Sequence, residues 1–480
     1  MANRHLRRLI TLVAVVALAP LTVAPAIAEP APASRLDWAP CPDGGGRSGV
    51  ECATLDVPVD WSEPRGRTVT LVLGRLKAEG RARGSVLVGF GGPSGGYVRA
   101  LGDLFGEAYG GLRRRMDVVT WDIRGGPGNL GMSTPRLRCD WRMAVVPRYP
   151  RDEAEYEQLT ATNRADAEKC RSTDPELFDN MDSASNARDM EAIRRALGEP
   201  KLNFYGASYA GFFGQAYARL FPHRVRTLVL DGTWSHSNEN WQSELAALAQ
   251  DHERTLRRFF DWCAADTSCA LHGGDASRHW REVTARADRE PIPAPSVDAD
   301  YSGRDLRALG LLAALRGPER WGRLAEAIRD AERGDASGFA PAGARLPYPA
   351  VPAPGAVECL DWPRAHGYQR LSAMTDQLHR TAPHVGASAP LPMNLLRCEG
   401  WPTPVTNPPQ PLPRHLPPLL GAGAWNEIDA VGRVVAQVPG SRTIRHEAAG
   451  HTLYLDNPCA RAHIDRYLTS RIMPEPGTEC

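Results

Sequence analysis

Short apolar stretches alternate with helical patterns through the first half of the chain. The clearest change lies at Leu202–Tyr205, a run with strand character, which is followed by the small residues of Gly206–Gly211 and then at once by an apolar helical pattern. A tight turn in this position holds its central side chain clear of the backbone at the carboxyl edge of a sheet. The pattern therefore predicts an exposed, strained Ser208. A small residue that caps a core helix would give the same local sequence.

The other strand-like stretches of this half indicate one sheet. Arg67–Leu76 alternates between apolar and polar residues, which predicts an edge strand, and the nearly continuous apolar run Ser85–Phe90 predicts a central one. Asp117–Trp121 and Thr227–Leu230 are further short buried strands, and Ser183–Gly198 has helical spacing. Strands that alternate with helices predict an α/β fold, with a mostly parallel sheet and helices on both faces.

The pattern changes after about residue 234. Trp241–Trp262, Asp305–Leu315 and Trp321–Ala331 have the spacing of amphipathic helices, and proline-rich breaks separate them. Strand character returns only at Leu419–Ala424 and Arg442–His446. We therefore predict a helical cap, inserted at 234–395, that restricts access to the carboxyl edge of the sheet. The core is predicted in two parts, at 36–233 and 396–480.

The first 28 residues have the pattern of a secretory signal peptide. Three arginines precede the apolar run Leu9–Val23, and Ala26–Ala28 forms a small-residue cleavage site. The run is too short to span a membrane, and we expect a secreted protein without a membrane span. The chain has 57 basic and 56 acidic residues, and three of the basic ones lie in the signal, so 54 remain. This near neutrality argues against a nucleic-acid partner.

Ten cysteines in an exported chain favour disulfide bonds. Proximity in the sequence suggests five pairs: Cys41 with Cys52, Cys139 with Cys170, Cys263 with Cys269, Cys359 with Cys398, and Cys459 with Cys480. A metal site would require closely spaced cysteine or histidine pairs, and the sequence has no CxxC. We predict neither a metal nor a cofactor.

Two further segments carry candidate chemistry. Gly91–Gly96 directly follows the predicted central strand, and glycines there allow backbone amides to face a ligand, as in an oxyanion hole. A flexible turn is the alternative, and a phosphate loop is disfavoured because no Lys-Ser/Thr pair follows. His451 follows the last predicted strand and lies downstream of Ser208, which is the chain order of the serine and histidine in a hydrolase triad.

These motifs together resemble the secreted tripeptidyl-aminopeptidase-like branch of the α/β-hydrolase superfamily, which is related to proline iminopeptidases. The resemblance covers nearly all of the chain after the signal. The motifs are VPVDW at Val57–Trp61, GGPSGG at Gly91–Gly96, DIRGGPG at Asp122–Gly128, RDMEAIRRALGEPKLNFYGASYAG at Arg188–Gly211, FPHRVRTLVLDG at Phe221–Gly232, VECLDW at Val357–Trp362, GHT at Gly450–Thr452 and a closing PGTEC. Ala210 departs from the usual Gly-x-Ser-x-Gly signature, so one methyl group must fit where strand and helix cross.

The resemblance implies an α/β-hydrolase that releases short peptides from a free N-terminus, or that hydrolyses related small amides and esters. Ser208 would attack the scissile carbonyl, and His451 would take its proton and pass it to the leaving amine. The backbone amides of Tyr209 and Gly92 would hold the oxyanion.

The acid of the triad is less clearly indicated. The family has an aspartate after the next-to-last strand, and Asn426 occupies that place here. Asp429 follows three residues later, Glu427 is adjacent, and Asp231 ends an earlier strand. We favour Asp429. Its alternative role is to cap a helix that starts near Ala430.

An exopeptidase must also bind the ammonium group of its substrate. Glu358 and Asp361 flank Cys359 in a motif shared with the family, so these carboxylates are candidates. Solvated charges beside a disulfide are the alternative.

Two other functions remain open at this stage. Ala210 and Asn426 are also compatible with a hydrolase fold that has weak or lost catalysis and binds peptides outside the cell. A hydrolase of small lipophilic esters is the third possibility.

Overall fold

A computed structural model describes residues 36–42, 46–93, 95–126, 131–137, 149–340 and 354–480. The predicted signal peptide, 1–28, lies outside these residues. The strands are β1 (Ala39–Pro40), β2 (Glu51–Pro58), β3 (Thr68–Leu76), β4 (Ser85–Gly89), β5 (Asp117–Trp121), β6 (Leu202–Ala207), β7 (Val225–Asp231), β8 (Ile292–Ala294), β9 (Ala299–Tyr301), β10 (Leu420–Ala424) and β11 (Arg442–His446).

The helices fall mainly between the strands and within one long segment that separates β7 from β10. They are α1 (Tyr97–Ala100), α2 (Gly110–Arg113), α3 (Glu153–Arg171), α4 (Pro175–Asp179), α5 (Ser183–Ala196), α6 (Ala210–Leu220), α7 (Trp241–Ala265), α8 (Ala276–Arg289), α9 (Gly303–Ala314), α10 (Pro318–Glu332), α11 (Pro354–Asp361), α12 (Tyr368–Thr381), α13 (Pro390–Leu395), α14 (Ile428–Val435) and α15 (Pro458–Ser470).

Nine strands form one sheet in the order β1-β2-β3-β5-β4-β6-β7-β10-β11. The pairs β1–β2, β2–β3 and β3–β5 are antiparallel. The six strands β5, β4, β6, β7, β10 and β11 are parallel to one another. In the parallel part, Gly89 pairs with Gly206, Ala207 with Asp231, and Ala424 with His446. The loops after β4, β6, β7, β10 and β11 therefore meet at one edge of the sheet.

Both faces of β4, β6, β7 and β10 are buried, which explains their nearly continuous runs of apolar and small residues, whereas β11 at the sheet edge is only partly buried. Successive residues of a strand point to opposite faces. Phe204 of β6 packs in one core with Ile193 of α5 and Phe213 of α6, whereas Tyr205 packs in the other with Ile464 of α15. The prediction of a mostly parallel sheet with helices on both faces is confirmed.

The prediction that Arg67–Leu76 is an edge strand is wrong. β3 pairs antiparallel with β5 on one side and with β2 on the other. β2 was missed, although its alternate residues Ala53, Leu55 and Val57 are buried and give a period of two. The alternation of apolar and polar residues in β3 arises because one of its two faces is more solvated than the other, and not because the strand lies at a sheet edge.

The segment between β7 and β10 contains α7–α13, and also the small antiparallel pair β8–β9. Strands were not predicted in this segment, because three residues are too few to show a period. Ion pairs join the segment to the core, since Arg433 of α14 contacts Glu244 at 2.9 Å and Asp251 at 3.0 Å on α7. The boundaries 234–395 stay a prediction. No described helix has the length and apolar composition to cross a membrane.

Four of the five predicted disulfides are confirmed. They join Cys41 to Cys52, Cys263 to Cys269, Cys359 to Cys398, and Cys459 to Cys480. Cys139, the predicted partner of Cys170, lies outside the described residues. Cystine bonds form and persist in oxidising compartments, so the four bonds are consistent with an extracellular protein.

Candidate active site

Ser208 occupies a strained turn between β6 and α6. Its φ is +53°, in the left-handed region that side chains other than glycine rarely adopt. The turn is fixed at both ends, because the Ser208 amide donates to Asp231 O at 2.8 Å and the Gly211 amide donates to Ser208 O at 3.0 Å. Such a conformation costs about 1–3 kcal/mol and is found mainly at functional sites.

Small residues allow the strands and the helix to approach around this turn. Ala210, which replaces the last glycine of the signature, is fully buried against β4. A Cβ atom added at Gly89 would lie only 2.7 Å from the Ala210 Cβ, so the glycine of β4 makes room for this methyl group. The departure from the signature is thus accommodated by a neighbouring strand.

The loop after β4 reaches the serine. Gly91 has a φ of +94°, and a Cβ atom there would lie 2.7 Å from Ser208 Cβ and 3.1 Å from Ser208 Oγ. The backbone at Gly91 can approach the serine this closely only because it has no side chain. On the other side, the Tyr209 amide lies at the start of α6, where amides lack an acceptor within the helix. Tyr209 directly follows Ser208, and Gly92 directly follows the glycine that approaches it, so their roles as oxyanion donors stay a prediction.

His451 lies in the loop after β11, and its carboxylate partner is Glu427. Nδ1 of the imidazole forms a short hydrogen bond with Glu427 Oε1, and the Thr452 amide donates to Glu427 Oε2 at 3.1 Å. This hydrogen bond raises the pKa of His451 above its ordinary value. The imidazole side chain is 61% exposed, whereas the Glu427 side chain is only 10% exposed.

The preference for Asp429 as this partner is corrected. Asp429 lies in the first turn of α14, where its 47% exposed carboxylate pairs with Arg254 of α7. Glu427 directly precedes α14, and its longer side chain faces back toward the β11 loop. The residue at the family's aspartate position, Asn426, braces the same loop: its Nδ2 donates to Gly450 O at 3.0 Å, and its Oδ1 accepts from the Gly450 amide at 3.2 Å.

Asp231, a further candidate acid, holds the loop after β11 in place. It is fully buried at the end of β7 and accepts hydrogen bonds from the Leu453 amide at 2.9 Å, the Tyr454 amide at 3.0 Å and Tyr205 OH at 2.8 Å. Burial raises its pKa to about 6, although these hydrogen bonds oppose the rise. Asp231 therefore contacts the backbone that follows His451, and sequence reasoning had no signal for this role.

The serine and the histidine are joined through these elements rather than directly. The Ser208 amide bonds Asp231, and a Cβ atom at the next residue, Gly232, would lie 2.6 Å from Glu427 Oε2. Among the described residues no hydrogen bond links Ser208 Oγ to His451. Such bonds are often long in substrate-free enzymes and tighten on binding, so this contact stays a prediction.

The comparisons with known proteins bear on the fold and the family. The family model described as "alpha/beta hydrolase fold" matches residues 88–321, and the one described as "TAP-like protein" matches residues 383–480. The chain belongs to the TAP-like alpha/beta hydrolases.

Relatives of this TAP-like hydrolase have different names. The tripeptidyl aminopeptidase of Streptomyces lividans is 28% identical over 90% of this chain and 84% of that protein. The serine protease Hip1 of Mycobacterium bovis is 25% identical over 95% of this chain and 92% of that protein. A Mycobacterium tuberculosis protein named carboxylesterase B is 27% identical over 90% of this chain and 86% of that protein. The chain is thus similar to both peptidases and an esterase.

The two candidate ammonium binders of this TAP-like hydrolase have different surroundings. Asp361, at the end of α11, is fully buried and accepts from the Ser183 amide at 2.9 Å, Asn407 Nδ2 at 2.7 Å and Tyr209 OH at 2.9 Å. Burial raises its pKa to about 7. Because its oxygens are already bonded, Asp361 holds α11 against Tyr209, next to the serine.

Glu358 lies one helical turn before Asp361 and is incompletely paired. Asn394 Nδ2 donates to Oε1 at 3.3 Å, and the buried Oε2 has no hydrogen-bond partner among the described residues. Burial raises the pKa of Glu358 to about 7, and the positive charge of Arg397 opposes the rise. Burial raises the pKa of Tyr209, and the charges of Asp361 and Glu358 add to the rise. Because Asp361 on the same helix accepts the Tyr209 hydroxyl at 2.9 Å, a carboxylate with a free acceptor lies on the helix that contacts the residue after Ser208.

Proposed function

We propose that this TAP-like hydrolase is a serine exopeptidase that releases short peptides from free N-termini. Ser208, His451 and Glu427 are its triad. The observation that carries the proposal is the His451–Glu427 hydrogen bond at the sheet edge that also holds the strained Ser208. A carboxylate on Nδ1 fixes the tautomer that leaves Nε2 free to accept a proton.

The reaction follows from these positions. Ser208 Oγ attacks the scissile carbonyl while His451 takes its proton, and the amides of Tyr209 and Gly92 stabilise the negative oxygen. The C–N bond then breaks, and the leaving amine receives the proton from His451. Water repeats the attack on the acyl-enzyme and releases the peptide.

Glu358 is proposed to bind the ammonium group of the substrate. Its buried, unpartnered Oε2 is unfavourable in the free protein, and a substrate ammonium would satisfy it. Asp361 is proposed to hold α11 in place for this contact through Tyr209 and Ser183.

The test uses aminoacyl, dipeptidyl and tripeptidyl arylamides, each with a free and an acetylated N-terminus. We expect hydrolysis of free substrates by the wild type, none by Ser208→Ala, and a preference for free over acetylated substrates that Glu358→Gln removes. Glu282→Gln, which changes an exposed glutamate of α8, is the matched control. Equal rates on free and acetylated substrates would exclude an exopeptidase of this kind.

An ester hydrolase is the second candidate, because one similar protein is named a carboxylesterase. Activity on p-nitrophenyl esters without activity on any peptide arylamide would favour it. A peptide-binding protein without catalysis is disfavoured, since Glu427 supplies the carboxylate that Asn426 lacks. Absence of fluorophosphonate labelling at Ser208 in folded protein would restore that alternative.

A further inference from the structure

A cleft opens between the helical segment and the loops that hold His451. It has a volume of about 300 Å³ and is lined by Arg258 and Asp261 of α7, Trp321 of α10, Trp425 after β10, and Glu447 and Ala449 after β11. We call it the tryptophan cleft. Its volume is at the small end of the ~300–1,000 Å³ of small-molecule sites, which suits one large side chain.

The tryptophan cleft is continuous with the histidine loop. The Trp425 amide donates to Ala448 O at 3.4 Å, and the next residue, Asn426, bonds Gly450 in both directions. Ala449 lies two residues before His451. In the sheet, β10 and β11 lie on one side of β6, while β4 with the oxyanion loop lies on the other. The cleft is therefore on the histidine side of Ser208.

The chemistry of acyl transfer indicates which part of the substrate lies on the histidine side of Ser208. The leaving amine takes its proton from the imidazole, so the leaving part of the substrate must lie toward His451. We propose that the tryptophan cleft binds the side chain of the residue that follows the scissile bond, and that it selects a large apolar or aromatic one. The inference rests on the proposed function and adds the specificity of the leaving side.

The lining supports this selection. The Trp321 and Trp425 rings have centroids 6.1 Å apart, a distance typical of aromatic pairs. The Arg258 guanidinium lies 3.9 Å from the centre of the Trp425 ring and 3.6 Å from a Glu447 oxygen. Its positive charge therefore already interacts with a ring and a carboxylate. Glu447 is also paired with Arg445, and Asp261 adds a further carboxylate to the lining, which disfavours an acidic residue in the cleft.

The experiment is a competition within one mixture. Three peptides share a free N-terminus and the first three residues, and have Phe, Gly or Asp as the fourth residue before an amidated end. We expect the wild type to cleave the Phe peptide about tenfold faster or more than the Gly peptide, and the Asp peptide most slowly. Because all three meet the same enzyme, their ratios do not depend on the active fraction.

Ala449→Phe fills the tryptophan cleft, and Ala462→Phe, at an exposed position of α15, is its matched control. We expect the Phe/Gly ratio to fall to within about threefold in Ala449→Phe and to stay at the wild-type value in the control. A wild type without preference, or Ala449→Phe with the wild-type ratio, would overturn the inference.

A second measurement on the wild type alone decides the matter if Ala449→Phe does not fold. Added phenylalaninamide or glycinamide competes with water for the acyl-enzyme: its nitrogen bonds the acyl carbon, the bond to Ser208 Oγ breaks, and the amine proton returns through His451 to the serine. We expect phenylalaninamide to capture more acyl group than glycinamide. Equal capture contradicts the inference.

Failure of the two proposals can be told apart. A fluorophosphonate loses only fluoride and does not need the cleft, so labelling of Ser208 tests the serine mechanism itself. Labelled enzyme that cleaves the peptides without preference leaves the proposed function standing and removes the cleft from it.

Discussion

At the scale of single residues, the candidate site depends on which of two nearby carboxylates faces His451. Glu427 and Asp429 are two positions apart, yet one is nearly buried beside the imidazole and the other pairs with Arg254 at the surface. The difference arises because Glu427 precedes α14 while Asp429 lies in its first turn. Substituting Glu427 and Asp429 one at a time therefore separates the triad acid from the surface ion pair.

Glu427→Gln should lose nearly all turnover, by up to ~10⁴-fold, because an amide does not hold the required tautomer. Asp429→Asn should stay within about twofold, since it breaks only an exposed ion pair. The measurement is kcat on a free tripeptidyl arylamide. A large loss in Asp429→Asn with a small one in Glu427→Gln would restore Asp429 as the triad acid.

Asn426→Asp should slow turnover, although it restores the residue typical of the family. The Asn426 amide nitrogen donates to Gly450 O, and a carboxylate oxygen in its place would repel that carbonyl. The variant is compared with wild type by kcat and by thermal unfolding. Faster turnover in Asn426→Asp would show that the wild-type triad is impaired.

The pKa of Glu358 near 7 gives a pH prediction. Its carboxylate binds an ammonium only when ionised, so the ratio of kcat/KM for free over acetylated substrates should rise between pH 6 and about 7.5. It should fall again as the substrate amine, with a pKa of about 7.7–8.0, loses its proton. The His451 titration affects both substrates and cancels in the ratio. In Glu358→Gln the ratio should be flat over the rising range; a rise that persists there would assign it to another group.

At the scale of elements, the end of β7 and the loop after β11 form one unit through Asp231. The buried carboxylate accepts the amides of Leu453 and Tyr454 directly after the histidine. The position of His451 therefore depends on a strand that contributes no member of the proposed Ser208–His451–Glu427 triad.

Asp231→Asn should lower kcat by about 10- to 100-fold, because its amide nitrogen would face donors and loosen the loop. It should also speed hydrogen exchange at the Leu453 and Tyr454 amides, a change that a general loss of stability would spread over the whole sheet. Asp456→Asn, at an exposed position of the same loop, is the control. Unchanged exchange at both amides would contradict the anchoring role.

At the scale of the whole molecule, disulfides close loops of very different length. Cys359–Cys398 spans 39 residues and joins α11 to the chain before the last strands, whereas Cys263–Cys269 spans 6. In the chain-entropy model, a longer loop restricts the unfolded state more strongly.

Replacing both cysteines of the 39-residue loop by alanine should lower the free energy of unfolding by about 4 kcal/mol, against about 2 kcal/mol for the 6-residue loop. Denaturant unfolding of the two double variants measures the difference. A larger loss from the short loop would show that local packing, rather than loop closure, dominates.

The sequence by itself determined the features that depend on neighbouring residues. Periodicity placed β4–β7, β10 and β11 and the turn at Ser208, because strand, turn and helix preferences act over a few positions. Proximity also gave four disulfide pairs.

Only the tertiary structure decided the features that depend on distant partners. β3 is internal because β2 pairs with it, the Ala210 methyl fits because Gly89 lies opposite, and Glu427 rather than Asp429 meets His451. Each outcome requires residues far apart in the chain to meet within hydrogen-bond or van der Waals distance. Such contacts are set by how loops and helices pack, which local patterns do not encode.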